Sequence, residues 1–204
     1  MTDTIISKFD NAVPVTGFEA PVLDVIKERR SKRAYSDEPV EEDKIRLLFE
    51  AARWAPSSMN EQPWMYVYAI KNQPELWDKI FETLSEGNRI WAVDAPLLIV
   101  SLARTKFIRS GLTNASARYD LGAANGFLSL QATALGLNVH QMGGYDKQML
   151  VENLNVPLDE FEPVVVLAVG YPGDVEKLPY NLKQRETSPR LRYPQEHFVR
   201  NKSF

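Results

Sequence analysis

The sequence predicts a domain mixing helices and strands, of ordinary size, with two irregular arms. Three features point there. The chain has 204 residues, enough for one domain or for one domain with long arms. Runs with the apolar pattern of strands are interleaved with runs that repeat every three to four residues, as helices do. Prolines gather near both ends: Pro14 and Pro21 at the start, and Pro172, Pro179, Pro189 and Pro194 toward the finish.

Residues 1–21 hold Pro14, Gly17 and Pro21 and have no clear period, so an extended arm is expected. Val22, Leu23, Val25 and Ile26 have helical spacing and predict a short helix. Residues 41–54 place Ile45, Leu48, Phe49 and Ala52 on one helical face. Glu41, Glu42 and Asp43 fall in the first turn, where the helix dipole favours acids. Pro56 requires this helix to end before it. Residues 64–70 are a strand candidate. Residues 73–85 read as one helix with Leu76, Ile80 and Leu84 on a face. Residues 97–103 are a continuous apolar run, suited to a buried strand.

Asn114 is placed to cap a long helix, and Gly136 to stand just past its end. That helix is rich in small residues. Gly122 and Gly126, one turn apart, leave room for another helix to approach closely. Residues 139–142 read as a short strand, 146–154 as a helix, and 164–169 as a strand rich in β-branched residues. From Tyr171 onward the prolines should break regular structure. Yet Tyr180, Leu182, Leu191, Tyr193 and Phe198 are more than a disordered tail carries. A second arm packed on something, such as a partner subunit, is expected. The organisation is then an N-terminal arm at 1–21, a core at 22–171 and a C-terminal arm at 172–204.

Composition excludes several classes. Hydrophobic residues make up 44% and charged residues 25%, which is globular. A net charge of −3 argues against nucleic acid as a partner. No cysteine is present, so disulfides, thiolate nucleophiles and cysteine-ligated metals are out. No signal peptide is visible, and the weakly polar stretch 115–137 contains Arg118, Asp120, Asn125 and Gln131, which makes it a buried helix and not a membrane span. The cytoplasm is the default. His140 and His197 have no metal-binding spacing, and His140 reads as a satisfied core residue. Hydrolase, triphosphatase and dinucleotide-binding glycine motifs are all missing.

Two segments carry chemistry. Arg29-Arg30-Ser31-Lys32-Arg33 gathers guanidinium groups and a hydroxyl past the end of the short helix. Guanidinium groups bind phosphate oxygens in forked pairs. Arg190 and Arg192 form a second basic pole far along the chain. They are two apart, so an extended segment turns both to one side. One phosphate held from two sides is one reading; a solvated helix end is the other. The loop Ala55-Pro56-Ser57-Ser58-Met59-Asn60-Glu61-Gln62-Pro63-Trp64 concentrates hydroxyls and amides, which suits either the edge of a planar ring or a simple capped turn. The segment 104–109, with Arg104, Lys106 and Arg109, is either a pocket roof or a solvated loop.

Five stretches stand in order along the chain: R-R-S-K-R, P-S-S-M-N-E-Q-P-W, G-N-R-I-W-A-V-D-A-P, Y-D-L-G-A-A-N-G-F-L-S-L-Q-A-T-A-L-G-L and V-G-Y-P. Together they resemble the nitroreductase family, FMN-dependent homodimeric oxidoreductases, across residues 22–196. The resemblance implies an α+β fold, with a central, mostly antiparallel sheet, helices on both faces, swapped terminal arms and flavin sites at a dimer interface. It implies that Arg29, Arg30, Ser31 and Arg33 contact the flavin phosphate and ribityl chain, with Arg190 and Arg192 closing on the phosphate. Pro56, Ser57, Ser58 and Asn60 would reach the flavin of the other subunit, and Asn88 would lie beside the ring. Where many relatives carry a polar side chain near flavin N5, this chain has Gln141-Met142-Gly143-Gly144. The contact there would come from the backbone of Met142, Gly143 and Gly144.

The same resemblance implies an NAD(P)H-dependent flavin oxidoreductase. NADH or NADPH would reduce the flavin, and a nitroaromatic, quinone or similar small acceptor would reoxidise it in a ping-pong cycle. No side chain is assigned as a catalytic acid or base. A flavin dehalogenase, a flavin-fragmenting enzyme, and a flavin-binding module without turnover are the alternatives.

Overall fold

The computed structural model describes residues 13–203. Its centre is a four-stranded sheet in the order β2-β3-β5-β4, antiparallel at every pairing. The strands are β2 (Trp64–Ile70), β3 (Leu97–Arg104), β4 (Asn138–Met142) and β5 (Phe161–Gly170). A small separate sheet pairs β1 (Val15–Thr16) with β6 (Leu191–Arg192). The helices are α1 (Asp24–Glu28), α2 (Glu42–Arg53), α3 (Pro74–Phe81), α4 (Glu86–Ala92), α5 (Ala117–Ala134), α6 (Lys147–Leu154), α7 (Tyr180–Thr187) and α8 (Gln195–Phe198). This is the α+β arrangement of an antiparallel sheet flanked by helices. Among the described residues no helix is long and apolar enough to cross a membrane.

β3 explains why its sequence runs apolar without alternation. Leu98, Val100 and Leu102 enter a core with Trp77, Ile80, Trp91 and Leu150. Leu97 and Ile99 enter a second core, on the opposite face, with Ile45, Leu48, Ala124 and Leu128. A strand covered by helices on both faces has no polar side to show. On α2, Ile45, Leu48 and Ala52 are the buried stripe, as their spacing predicts. Gly136 follows α5 with φ +76°, the left-handed end that glycine favours.

Four expectations need correction. β5 starts at Phe161, not at 164. Pro163 faces Leu102 of β3, and the register shifts between Ser101 and Leu102. A proline cannot donate to the ladder, so the strand accommodates it with a bulge. The segment 73–85 is not one helix: α3 stops at Phe81 and α4 begins at Glu86. The intervening chain pairs with a distant one. Ser85 N donates to Gly144 O at 2.9 Å, and Asp146 N donates to Thr83 O at 2.7 Å. That long-range pairing overrides helical periodicity. α5 is capped at Ser116, two residues past Asn114, whose Oδ1 instead accepts from Ser116 N at 3.1 Å.

The fourth correction concerns the C-terminal arm. Its prolines bound regular structure and do not abolish it. α7 fills the interval from Pro179 to Thr187, with Leu182 and Glu186 buried. The N-terminal arm is extended at Val15–Thr16, and the two arms meet there: Val15 pairs with Arg192 and Thr16 with Leu191. Residues 1–12 of that arm lie outside the described residues.

Candidate functional site

The basic poles come together. α1 is five residues long and ends at Arg29, whose N–H donates to Val25 O at 3.1 Å. The chain then runs without helix to Tyr35. Arg190 reaches across with its guanidinium, donating to Arg29 O at 2.7 Å and to Lys27 O. Arg29, Arg190 and Arg192 line one cavity of about 310 Å³ with Thr16, Gly17 and Phe18. Arg29 Nη1 lies 3.4 Å from Ser31 Oγ. Burial, then the neighbouring Arg190 and Arg192, hold the Arg29 guanidinium below its ordinary pKa. Burial, then Arg30 and Arg192, do the same to Arg190. Among the described residues, no carboxylate lines this cavity. Like charges gathered without a counter-charge are costly, and a bound anion relieves the cost.

Not every predicted arginine faces that cavity. Arg30 donates from Nη2 to Ser188 O at 2.7 Å. Arg33 places Nη1 at 3.9 Å from Glu186 Oε2 and its guanidinium 5.9 Å from the Trp91 ring centre. Both tie the segment to its surroundings. Ser31 stays on the Arg29 side.

Asn88 and the glycine pair also meet. The turn formed by residues 83–85 sets α4 so that Asn88 Nδ2 donates to Gly144 O at 2.9 Å. A side chain at position 144 would crowd this contact: a Cβ there would lie 2.8 Å from Ser85 Oγ and 2.9 Å from Asn88 Nδ2, so both side-chain ends would have to shift. Gly143 next to it faces open space. Met142 is different. Its side chain is in the core, 2% exposed, so its backbone is what it can offer. Three residues along α4 from Asn88, Trp91 packs its ring 4.6 Å from His140 and 6.2 Å from Tyr35. His140 Nδ1 donates to Lys32 O at 3.0 Å. Arg33 over the buried Trp91 ring thus ties the arginine segment to α4, the helix that also carries Asn88 and its bond to Gly144.

The loop 56–62 is held from two sides. Ser58 N donates to Asp120 Oδ2 at 3.0 Å, a buried carboxylate in the first turns of α5. Ile108 N donates to the Glu61 carboxylate. Gln62 N donates to Ser57 Oγ at 3.0 Å. Met59, Asn60 and Gln62 have φ of 53°, 55° and 51°. Asparagine tolerates this left-handed conformation, but methionine and glutamine are strained there, and such strain gathers at functional sites. Met59 stands 86% exposed at the tip. The loop does not line the arginine cavity. Arg104, from the segment read as roof or solvated loop, pairs with Glu160 at 3.0 Å.

Sequence reasoning missed Glu186, Trp91 and Asp120. Asp120 sits within a motif stretch, and Trp91 within another, so neither stood out. Glu186 had a signal: it is one of two acids in the strongly basic stretch 183–202. Among the described residues no group of histidines and carboxylates is placed to hold a metal.

Known proteins resemble this chain along most of its length. The profile described as "Nitroreductase family" matches residues 26–90. A protein of Archaeoglobus fulgidus named "Putative NADH dehydrogenase/NAD(P)H nitroreductase" is 31% identical, over 83% of this chain and 95% of its own. The "FMN reductase [NAD(P)H]" of Bacillus subtilis is 31% identical, over 75% of this chain and 66% of its own. Among solved structures, an "oxidoreductase containing FMN" is 35% identical with a TM-score of 0.87, covering 93% of this chain and 96% of that one. A "putative nitroreductase in complex with fmn" from Desulfovibrio desulfuricans is 26% identical with a TM-score of 0.70, covering 92% and 99%. Sequence likeness across nearly the whole length and likeness of fold agree, and this chain belongs to the nitroreductase family.

Proposed function

We propose that this protein is an FMN-dependent oxidoreductase that uses NADH or NADPH to reduce a nitroaromatic, quinone or similar small acceptor. The observation that carries the reading is the cavity where Arg29, Arg190 and Arg192 converge with no carboxylate among its described walls. Guanidinium groups set this way fit a terminal phosphate. They fit FMN better than FAD, whose phosphates are both bridging. A flavin held here would supply the hydride and electron transfer between nicotinamide and acceptor, so no protein nucleophile would be required.

The chain's own residues hold and orient the cofactor. Arg29, Arg192 and Ser31 take the phosphate end, with Arg190 fixing the wall between them. Asn88 and the backbone of Met142, Gly143 and Gly144 take the ring end. N–H dipoles there favour electron density arriving at the ring edge. Arg30 and Arg33 support this frame through Ser188 and Glu186. The test is direct. The purified protein should be yellow, release FMN on heating, and bleach under argon when NADH or NADPH is added. Admitting menadione or a nitroaromatic should restore the colour. Release of FAD, or a yellow protein that neither nicotinamide bleaches, would refute the assignment.

The working unit is a homodimer. In the described parts of the two arms, Phe18, Leu191, Tyr193 and Phe198 are exposed. On α5, a Cβ at Gly122 or Gly126 would meet nothing within 4 Å, and Tyr119 and Phe127 beside them are exposed. A second copy covers such a face closely, and exchange of arms between copies buries the outward aromatics. The strained loop Pro56, Ser57, Ser58 and Asn60 then completes the partner's site. Sedimentation at low micromolar concentration should give one species of twice the chain mass. A stable monomer that keeps its flavin would count against this.

A further inference from the structure

We infer that Glu186 is the positioning residue of the arginine site, acting through the backbone of Arg33 and Ala34 without touching the ligand. This rests on the proposed phosphate site. Glu186 belongs to α7, and its side chain is 1% exposed. Arg33 N donates to both carboxylate oxygens, at 2.9 Å and 3.1 Å, and Ala34 N donates to Oε1 at 3.3 Å. The Arg33 guanidinium stands off at 3.9 Å, longer than a hydrogen bond. The charge is therefore satisfied chiefly by two consecutive backbone amides. A buried carboxylate is kept only where such donors compensate its lost hydration.

Four residues further along, Arg190 performs the complementary task. Its guanidinium takes the carbonyls of Lys27 and Arg29. One arm thus grips the 27–34 segment at both ends: a carboxylate on the amides and a guanidinium on the carbonyls. Arg30 adds a strap to Ser188 O at 2.7 Å. Arg29 lies on the gripped segment, while Arg190 and Arg192 lie on the arm that grips it. The spacing of the three guanidinium groups is set by this clasp. Glu186 is its buried half.

The experiment compares FMN with riboflavin, which lacks the phosphate, by fluorescence titration of flavin-free protein. Glu186→Gln keeps the side-chain volume but removes the charge and one acceptor. Its FMN affinity should fall about tenfold or more, while riboflavin affinity stays within about twofold. A general loss of structure would weaken both flavins alike and leave their ratio unchanged, and that result overturns the inference. Amide hydrogen exchange of the flavin-free protein gives a second measurement, valid even where the variant fails to fold. Arg33 and Ala34 must be protected in the wild type; free exchange there refutes the clasp outright. A wild type that holds FMN and riboflavin equally would refute the phosphate site itself. It is told apart from failure of the clasp because the two amides would still be protected.

Discussion

Replacing Arg29 and Arg192 together by alanine should weaken FMN binding roughly a hundredfold while leaving riboflavin binding nearly unchanged. Each charge-assisted contact to a phosphate contributes about 1.5–3 kcal/mol, or about ten- to a hundredfold in affinity. The two side chains share one cavity, so their effects will not simply add. They are the arginines to remove because their own contacts are local, Arg29 with Ser31 Oγ and Arg192 with Leu191 O, whereas their neighbours tie distant segments together. Arg190 is committed to the carbonyls of Arg29 and Lys27, and Arg30 to that of Ser188. Truncating either would disturb the frame as well as the charge. Arg33→Ala would act through Trp91 and Glu186. Titrating the flavin-free double variant with each flavin decides the matter. Equal loss of both would mean that these arginines hold the fold and do not read the phosphate.

Legibility in the sequence follows the range of the interactions. β2 is readable to the residue, because a half-buried edge strand declares itself locally. α2 is readable because one apolar stripe and a following proline define it. The start of β5 is hidden because Pro163 argues against a strand. Only the partner β3 shows that a bulge absorbs it. The break between α3 and α4 is invisible, since Leu84 continues the helical spacing while its real partner is Tyr145, in a bridge between distant segments. The site divides the same way. Charge marks Arg29 and Arg190 as belonging together, and they do meet. Much of what Arg190 binds is backbone carbonyl, and no residue pattern records a carbonyl's direction. Asn88 and Gly144 are each readable by resemblance. Their mutual hydrogen bond depends on the 83–85 pairing, which local sequence does not encode.

A drop in stability between pH 6.5 and pH 4 is the other large effect expected, and it should trace to His140. Burial, and secondarily the nearby Arg33, lower the pKa of this imidazole from 6.5 to about 4. The neutral ring donates from Nδ1 to Lys32 O and packs on Trp91. Unfolded chains take up the proton near pH 6.5, whereas the folded protein resists it until about pH 4. Between those values the unfolded state binds more protons, so stability falls as the pH is lowered. The full interval corresponds to roughly 3 kcal/mol, about 2 kcal/mol of which should be lost by pH 5. Glu162, held down to about 2 by Arg118 and Lys147, works in a lower window. It begins to matter only below its ordinary value of 4.5. Urea denaturation at pH 7.5 and pH 5 separates the two. His140→Asn retains a donor for Lys32 O but cannot titrate, so it should flatten the slope above pH 5. A variant with the wild-type slope would assign the effect to another group. Because the same ring lies against Lys32 and Trp91, acid should loosen the arginine segment before it unfolds the sheet. FMN would then be released at a higher pH than the one at which the helical signal is lost.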